Sequence, residues 1–471
     1  MKVPLLFLPF LILIGLLPLS AKPNFILILA DDLGYGDVGF NGSTKVQTPN
    51  LDRLAKHGLV MTDFHSNGSV CSPTRAALLT GRYQHRSGVV NVLGQTGAAM
   101  QRIRPEDPFL GLELDEVLIP ELLKPHGYAT AVFGKWHLGP LETHGPNAQG
   151  FDTFVGCEGL AYNDFTYVYN GINRLYRGDQ QPAPGEGGQY FTYKLADEAC
   201  AFIDAHKEEP FFIYMPLTAP HIPQWGPDDG DLVWDEKNRF GPRDDPQAAY
   251  YDVIAAIDKA VGQVIEVVEA AGIVEETFII FTSDNGAIDF GSPEPWAGRK
   301  SNLYEGGTRV PTVFYWPGTI EAGSSDALTA TMDVLPTYLS LAGIEPETEL
   351  KLDGLDLSAL FMDGGDFAGH PMLFWEKPHG VQMFKFDWRR FAVREGTWKL
   401  MDDGTEKLNL ALFDLSADPR ERHDVSDQYP ERVEAMHAAF VKWKADVYAD
   451  APYDLETVIA ELKEANIIKP R

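Results

Sequence analysis

Four stretches of this chain are apolar almost continuously rather than at alternate positions: Asn24 to Ala30 (NFILILA), Tyr128 to Phe133 (YATAVF), Phe211 to Met215 (FFIYM) and Phe278 to Phe281 (FIIF). Short runs without alternation predict strands covered on both faces, as in a parallel sheet. Between them lie segments of helical period with start and stop residues at their ends: Thr48 to Gly58, Asp115 to His126, Thr192 to His206, Ala248 to Ala271 before Gly272, and Met332 to Ala342. Leu59 to Phe64 and Val310 to Trp316 read as further strands. Strand and helix in turn predict an α/β fold, a large doubly wound mixed sheet flanked by helices.

After about Gly364 the pattern changes. Met372 to Trp375, Arg390 to Arg394, Trp398 to Met401 and Ala411 to Leu415 are short, alternating segments, followed by a helix over Glu431 to Val447. They predict a smaller C-terminal domain with an antiparallel sheet and a helix. The expected division is a catalytic domain over 22–365 and a C-terminal one over 366–471. Residues 1–21, with Lys2 followed by the apolar run Leu5 to Leu19 and then Ser20-Ala21-Lys22-Pro23, predict a cleaved signal peptide, and hence a periplasmic or secreted protein. That run is short and broken by Pro9 and Pro18, which argues against a membrane anchor.

Composition narrows the partners. A formal net charge of −29 argues against nucleic acid, whose phosphates need clustered Lys and Arg. An anionic substrate would require cations concentrated at one place. Among the 3 cysteines, Cys71, Cys157 and Cys200, a Cys157–Cys200 disulfide would leave Cys71 free, and two unpaired structural cysteines fit equally well. Three long aperiodic stretches, 89–112, 156–190 and 216–247, read as loops around a site.

The chemistry gathers where the predicted strands end. Asn24 to Ala30 runs into Asp31-Asp32-Leu33-Gly34, and Phe278 to Phe281 into Thr282-Ser283-Asp284-Asn285-Gly286. Adjacent carboxylates in glycine-containing turns at the carboxyl ends of sheet strands suit a hard cation held by oxygen, Ca²⁺ before Mg²⁺. The two turns can share one ion only if their strands are neighbours. Tyr128 to Phe133 leads to Lys135 and His137, two apart and so on one side of an extended segment. Phe211 to Met215 leads to His221 between prolines, and Lys300 lies in a further glycine-rich loop. Cys71 stands at the mouth of a helix, with Pro73 at its first position and Gly81 at its end, where unpaired N–H groups and Arg75 would attract an anion.

Cys71-Ser72-Pro73-Thr74-Arg75, with Leu79-Thr80-Gly81-Arg82, resembles the signature of the type I sulfatases of the alkaline phosphatase-like superfamily. The likeness runs from Asn24 to Leu412-Phe413-Asp414-Leu415-Ser416-Ala417-Asp418-Pro419. The resemblance implies a sulfuric ester hydrolase in which Cys71 is oxidised by a maturation enzyme to formylglycine. Asp31, Asp32, Asp284, Asn285 and the modified Cys71 would hold one Ca²⁺, and Arg75 would hold the aldehyde hydrate. Lys135, His137, His221 and Lys300 match the positions that bind sulfate and transfer protons. Related two-zinc phosphatases carry His in the turn that here reads Asp284-Asn285-Gly286, so Asn285 favours a single hard ion.

Where several aryl and lipid sulfatases have a Ser-His pair after Gly-Phe-Asp, this chain has Gly150-Phe151-Asp152 and then Ala161-Tyr162-Asn163-Asp164, so substrate identity does not carry over. Its acidic, exported character points to sulfated carbohydrates. Tyr167, Trp225 and Trp296 are candidates to stack on sugar rings, and Arg102 or Arg104 to meet a second anion. A phosphomonoester or phosphonate ester hydrolase with the same site, and a non-catalytic calcium-dependent glycan-binding protein, are the competing readings.

Overall fold

The computed structural model describes residues 22–93, 109–159, 164–169, 172–180, 188–230, 232, 238–345, 350–362, 367–377, 390–402 and 408–465. The expected signal peptide, Arg102, Arg104, and the segment Ala161-Tyr162-Asn163 lie outside these residues.

The apolar runs form the centre of a nine-stranded sheet. Its strands in chain order are β1 (Asn24–Ala30), β2 (Leu59–Met61), β3 (Ala129–Lys135), β4 (Thr153–Cys157), β5 (Tyr176–Arg177), β6 (Phe211–Pro216), β7 (Thr277–Ser283), β8 (Val313–Tyr315) and β9 (Gly323–Ser325). They lie side by side as β9-β2-β8-β7-β1-β6-β3-β4-β5. β7, β1, β6, β3 and β4 are mutually parallel, while β8 and β5 run antiparallel to the strands they join from the centre. The sheet is therefore mixed, as expected.

Both faces of β1 are covered, which is why its sequence does not alternate. Phe25, Leu27 and Leu29 pack towards helices α1 (Cys71–Thr80) and α2 (Val334–Leu341), through Leu78, Leu79, Leu335 and Tyr338. Ile26, Ile28 and Ala30 point the other way, into a layer with Leu195 and Ile203 of the helix Phe191–His206 and Ile254 and Ile257 of the helix Pro246–Ala270.

A separate four-stranded antiparallel sheet follows: β10 (Leu373–Glu376), β11 (Phe391–Glu395), β12 (Trp398–Asp402) and β13 (Leu410–Asp414). The helix Pro430–Tyr448 covers it, with Phe391 stacked on Phe440 at 3.9 Å. The core of this sheet continues into Tyr83, Leu303 and Met332 of the preceding layer.

Several elements differ from expectation, mostly at prolines. The helix expected over Asp115 to His126 is only Ile119–Leu123 with a 3-10 turn Lys124–His126, since Pro120 suits a first turn and Pro125 has no N–H to continue the helical ladder. The strand expected over Val310 to Trp316 pairs only at Val313–Tyr315, Pro311 having no N–H for the ladder. Leu59 to Phe64 divides into β2 and the two-residue strand Phe64–His65, which leaves the main sheet to pair with Thr329–Ala330. Cys157 and Cys200 are both free: Cys157 is buried at the end of β4 and Cys200 lies on the outer helix.

One packed group makes stability depend on pH. His85 is fully buried, its ring 4.9 Å from Trp443 and 5.4 Å from Tyr448, with Nε2 at 3.4 Å from the Glu376 carbonyl and Nδ1 unpartnered. Burial carries its pKa down to about 3, so the folded protein keeps it neutral while the unfolded chain protonates it near 6.5. The contribution is complete above pH 6.5 and is lost as pH falls towards 3, at about 1.4 kcal/mol per pH unit. In His85→Phe the unfolding free energy, measured by denaturant titration, is expected to fall less steeply between pH 6.5 and 4 by that amount; an unchanged slope would contradict this account.

Candidate active site

The parallel register of β1 and β7 sets Ala30 beside Ser283, so the two acidic turns leave the sheet together. The Asp284 N–H donates to the Ala30 carbonyl at 3.0 Å, and the Asp32 N–H donates to Asp284 Oδ1 at 3.2 Å. Asp32 takes a positive φ of 73°. The condition for a shared site, adjacency of these two strands, is met.

α1 delivers the next pieces. It begins at Cys71 itself, two residues before the expected start, with Val70 extended at the N-cap and Gly81 left-handed at its end. Pro73 is tolerated there because no residue of the first turn has an internal partner for its N–H. Every residue of this helix is buried. Cys71 Sγ lies 3.4 Å from Asp31 Oδ1, and one ligand atom each from Asp31, Asp32, Cys71 and Asp284 fall within 4.8 Å of one another. Arg75, one turn on, donates from Nε and Nη2 to Asp284 Oδ2 at 3.1 and 2.7 Å, and from Nη1 to the Lys135 carbonyl at 2.7 Å.

The remaining strand ends close the group. Lys135 donates to Asp31 Oδ2 at 2.7 Å, and Lys300 donates to Asp32 Oδ2 at 2.7 Å with its Nζ 3.6 Å from Cys71 Sγ. His221 Nε2 is 3.5 Å from Asp32 Oδ2, and its Nδ1 donates to the Ile222 carbonyl at 2.6 Å. His137, also at positive φ (61°), donates its backbone N–H to the Glu158 carbonyl at 2.6 Å and keeps a buried Nδ1 without a protein partner. Asn285 Nδ2 donates to Asp32 Oδ1 at 2.7 Å, which leaves Asn285 Oδ1 buried with no donor. The structure thus brings together Asp31, Asp32, Cys71, Arg75, Lys135, His137, His221, Asp284, Asn285 and Lys300.

Electrostatics follow from dehydration and proximity. Burial raises carboxyl pKa values, but at Asp31 the neighbouring side chains of Lys135, His221, Arg75 and Lys300 more than offset it and hold that group far below the usual range. Burial and the neighbouring charge of Asp31 push Asp284 up to about 7, against the pull of Arg75, and burial also raises Asp32. The Cys71 thiol is pushed up to about 12 by burial, so as a thiol it is a poor nucleophile. Burial, then the nearby Lys300, carries His221 down to about 3; burial, then Lys135, carries His137 well below its usual value. Both imidazoles are neutral at pH 7.

This arrangement fits a hard cation. Three buried carboxylates, two of them raised by burial, and an unsatisfied amide oxygen form an oxygen donor set that three cationic side chains leave incompletely relieved. Sequence reading missed Tyr214, which lies fully buried among Arg75, Asp284 and Asp31. Nothing in the apolar run FFIYM distinguishes it from a core residue. Of the aromatic candidates for sugar stacking, Tyr167 and Trp225 are each 1% exposed and belong to the core. Trp296 is half-buried, with the Arg309 guanidinium 3.9 Å above its ring.

Comparison with known proteins agrees with this geometry. The profile of the family described as Sulfatase matches residues 23–344, and that described as N-sulphoglucosamine sulphohydrolase, C-terminal, matches residues 297–446. The chain is 35% identical over 467 residues to the N-acetylgalactosamine-6-sulfatase of Mus musculus, covering 90% of this chain and 86% of the relative. It is 32% identical over 477 residues to the arylsulfatase A of Homo sapiens, covering 89% and 87%. The crystal structure of Ps i-CgsB, also solved in complex with k-i-k-neocarrahexaose, superposes with a TM-score of 0.79 at 30% identity, over 96% of this chain and 98% of that one. The chain belongs to the sulfatase family, with the alkaline phosphatase-like fold, and is a hydrolase of sulfuric esters.

Proposed function

We propose that this protein is an exported carbohydrate sulfatase working through one calcium ion and a formylglycine made from Cys71. The observation that carries the reading is the convergence of Asp31, Asp32, Asp284 and Cys71 within 4.8 Å at adjacent strand ends, ringed by Arg75, Lys135 and Lys300. Asp31, Asp32, Asp284 and Asn285 would hold the ion, joined by the modified residue 71. When bound, calcium supplies positive charge for sulfate oxygens and formylglycine supplies a hydrated aldehyde as nucleophile.

The chain's own residues then have defined tasks. Asp31, Asp32 and Asp284 balance Arg75, Lys135 and Lys300 in formal charge, so the group gains net positive charge on taking a divalent cation and attracts an anionic ester. Arg75, held by the Asp284 carboxylate and the Lys135 carbonyl, keeps its charge fixed one helical turn from residue 71. Lys135 and Lys300, tethered to Asp31 and Asp32, neutralise charge on the sulfuryl oxygens without reorganising. His221 keeps its proton on Nδ1, tied to the Ile222 carbonyl, and turns Nε2 to the cluster beside Lys300. An incoming sulfate opposes the depression of its pKa by Lys300, and Nε2, once protonated, hands its proton to the leaving alcohol. His137, neutral and with a free Nδ1, would accept a proton from the modified residue 71, which would let sulfate leave.

The relatives favour sugars. N-acetylgalactosamine-6-sulfatase shares its similarity across nearly the whole chain, and Ps i-CgsB is seen with k-i-k-neocarrahexaose. Export rests on the leader at 1–21, and among the described residues no helix is long and apolar enough to cross a membrane.

Peptide mass spectrometry of active protein is expected to find an aldehyde at position 71, with turnover falling to background in Cys71→Ser from a host that modifies only cysteine. Full activity of that variant would refute the scheme. On paired substrates, N-acetylgalactosamine 6-sulfate and sulfated carrageenan oligosaccharides are expected to be hydrolysed, and 4-nitrophenyl phosphate far more slowly than 4-nitrophenyl sulfate; the reverse order would assign a phosphoester hydrolase. Arg75→Lys keeps the charge but loses the double donation to Asp284, and is expected to weaken calcium binding about 10–100-fold, read as a weaker rise in Tm with added calcium.

A further inference from the structure

We propose that the C-terminal antiparallel sheet sets the position of Lys300, through Lys377 on the adjoining Ser301 and through Arg394 and Lys399 on Glu305. The inference rests on the reading of Lys300 as a group that meets the sulfate.

Lys300 and Ser301 are the central residues of a turn, in which the Asn302 N–H donates to the Arg299 carbonyl at 2.9 Å and the Arg299 N–H donates to Asn302 Oδ1 at 3.0 Å. Ser301 has φ 69°, a left-handed conformation that a side chain with a Cβ disfavours and that persists only where its surroundings impose it. Three further hydrogen bonds tie this turn to its surroundings. The Lys300 N–H donates to the Ala287 carbonyl at 2.9 Å, the Ser301 N–H donates to the Ser69 carbonyl at 2.7 Å, and Lys377 Nζ donates to the Ser301 carbonyl at 2.8 Å. The first two partners flank the acidic turn and Cys71. The third comes from the residue that follows β10, on the C-terminal sheet.

The other end of the loop is anchored by charge. Glu305 is fully buried, and its Oε1 accepts from Lys399 Nζ of β12 at 2.9 Å. Its Oε2 accepts from Arg394 of β11 and from Arg309 at 3.1 Å. Its N–H donates to Glu421 Oε2 at 2.8 Å, and Arg394 also donates to Asp63 Oδ2 at 2.9 Å. Asp63, His65 and Glu305 are close enough together to suggest a metal site, but Arg309, Arg394 and Lys399 already occupy their oxygens. A buried network of this kind contributes little net stability compared with apolar packing; its effect is to hold partners in one geometry.

That geometry reaches the site by backbone contact. The Gly306 N–H donates to the Ala297 carbonyl at 2.7 Å, closing the loop around Lys300, and the Gly286 N–H donates to the Gly307 carbonyl at 3.1 Å. A Cβ on Gly286 would fall 1.9 Å from the Gly306 carbonyl oxygen, so the turn carrying Asn285 lies directly on the Glu305 segment. Lys377, Glu305, Arg394 and Lys399 are therefore positioning residues, acting through Lys300.

A double-mutant cycle on the full-length, matured enzyme tests this, with 4-nitrophenyl sulfate as substrate and Tm measured alongside. Lys377→Met is expected to lower kcat about tenfold, Lys377→Arg to restore most of it, and Lys377→Met to cost nothing further in a Lys300→Ala background. Lys399→Met, which removes one of Glu305's partners, is a second arm with the same expected cycle. Equal losses in both backgrounds would assign a merely structural role and overturn the proposal. So would kcat within about twofold of wild type for both Lys377→Met and Lys399→Met while Lys300→Ala is impaired. Full activity of Lys300→Ala itself would instead overturn the role of Lys300, and the proposal with it.

Discussion

The whole site depends on the parallel pairing of β1 with β7. Because Ala30 and Ser283 are partners in one ladder, turns that are far apart in the chain emerge at the same height, and their carboxylates cannot avoid one another. A shift of one residue would turn Asp31 or Asp284 to the opposite face of the sheet, since side chains alternate with period two. The register is protected by burial on both sides, where each strand contributes apolar side chains to two separate layers. The core of the fold is thus also what fixes the geometry of the chemistry.

Bringing carboxylates together in a dry place creates a cost that the surrounding residues must offset. Arg75, Lys135 and Lys300 do so by direct ion pairs, each to a different carboxylate, which also locks the three cations in place. In a chain of net charge −29, such a concentration of positive charge at one point is a strong departure from the average surface. The histidines beside it are kept neutral by burial and by the same lysines.

The C-terminal sheet shares a core with the catalytic layer and adds a fully buried set of charges that ends on the Lys300 loop. The family resemblance in sequence covered these strands only as a closing pattern. Nothing in the spacing of Glu305, Arg394 and Lys399 indicates that they meet, because each belongs to a different element and the contact exists only once the sheet has docked.

Much of the fold and of the site was legible along the chain. Continuous apolar runs gave away buried parallel strands, since covering both faces removes alternation, and acidic or basic residues immediately after those runs marked the strand ends where an α/β sheet collects its chemistry. The Cys71 signature with its helix was likewise local, resting on Pro73, Arg75 and Gly81. Element limits failed where a proline withdrew a donor or displaced a helical turn, at Pro120, Pro125 and Pro311. Tertiary structure alone decided the order of the strands, the meeting of Asp31 with Asp284, the burial of Tyr167 and Trp225, the separation of Cys157 from Cys200, and the grip of Lys377 on Ser301. These are relations between distant residues. Local pattern encodes how each segment buries its own side chains, while which segments become neighbours depends on packing all of them at once.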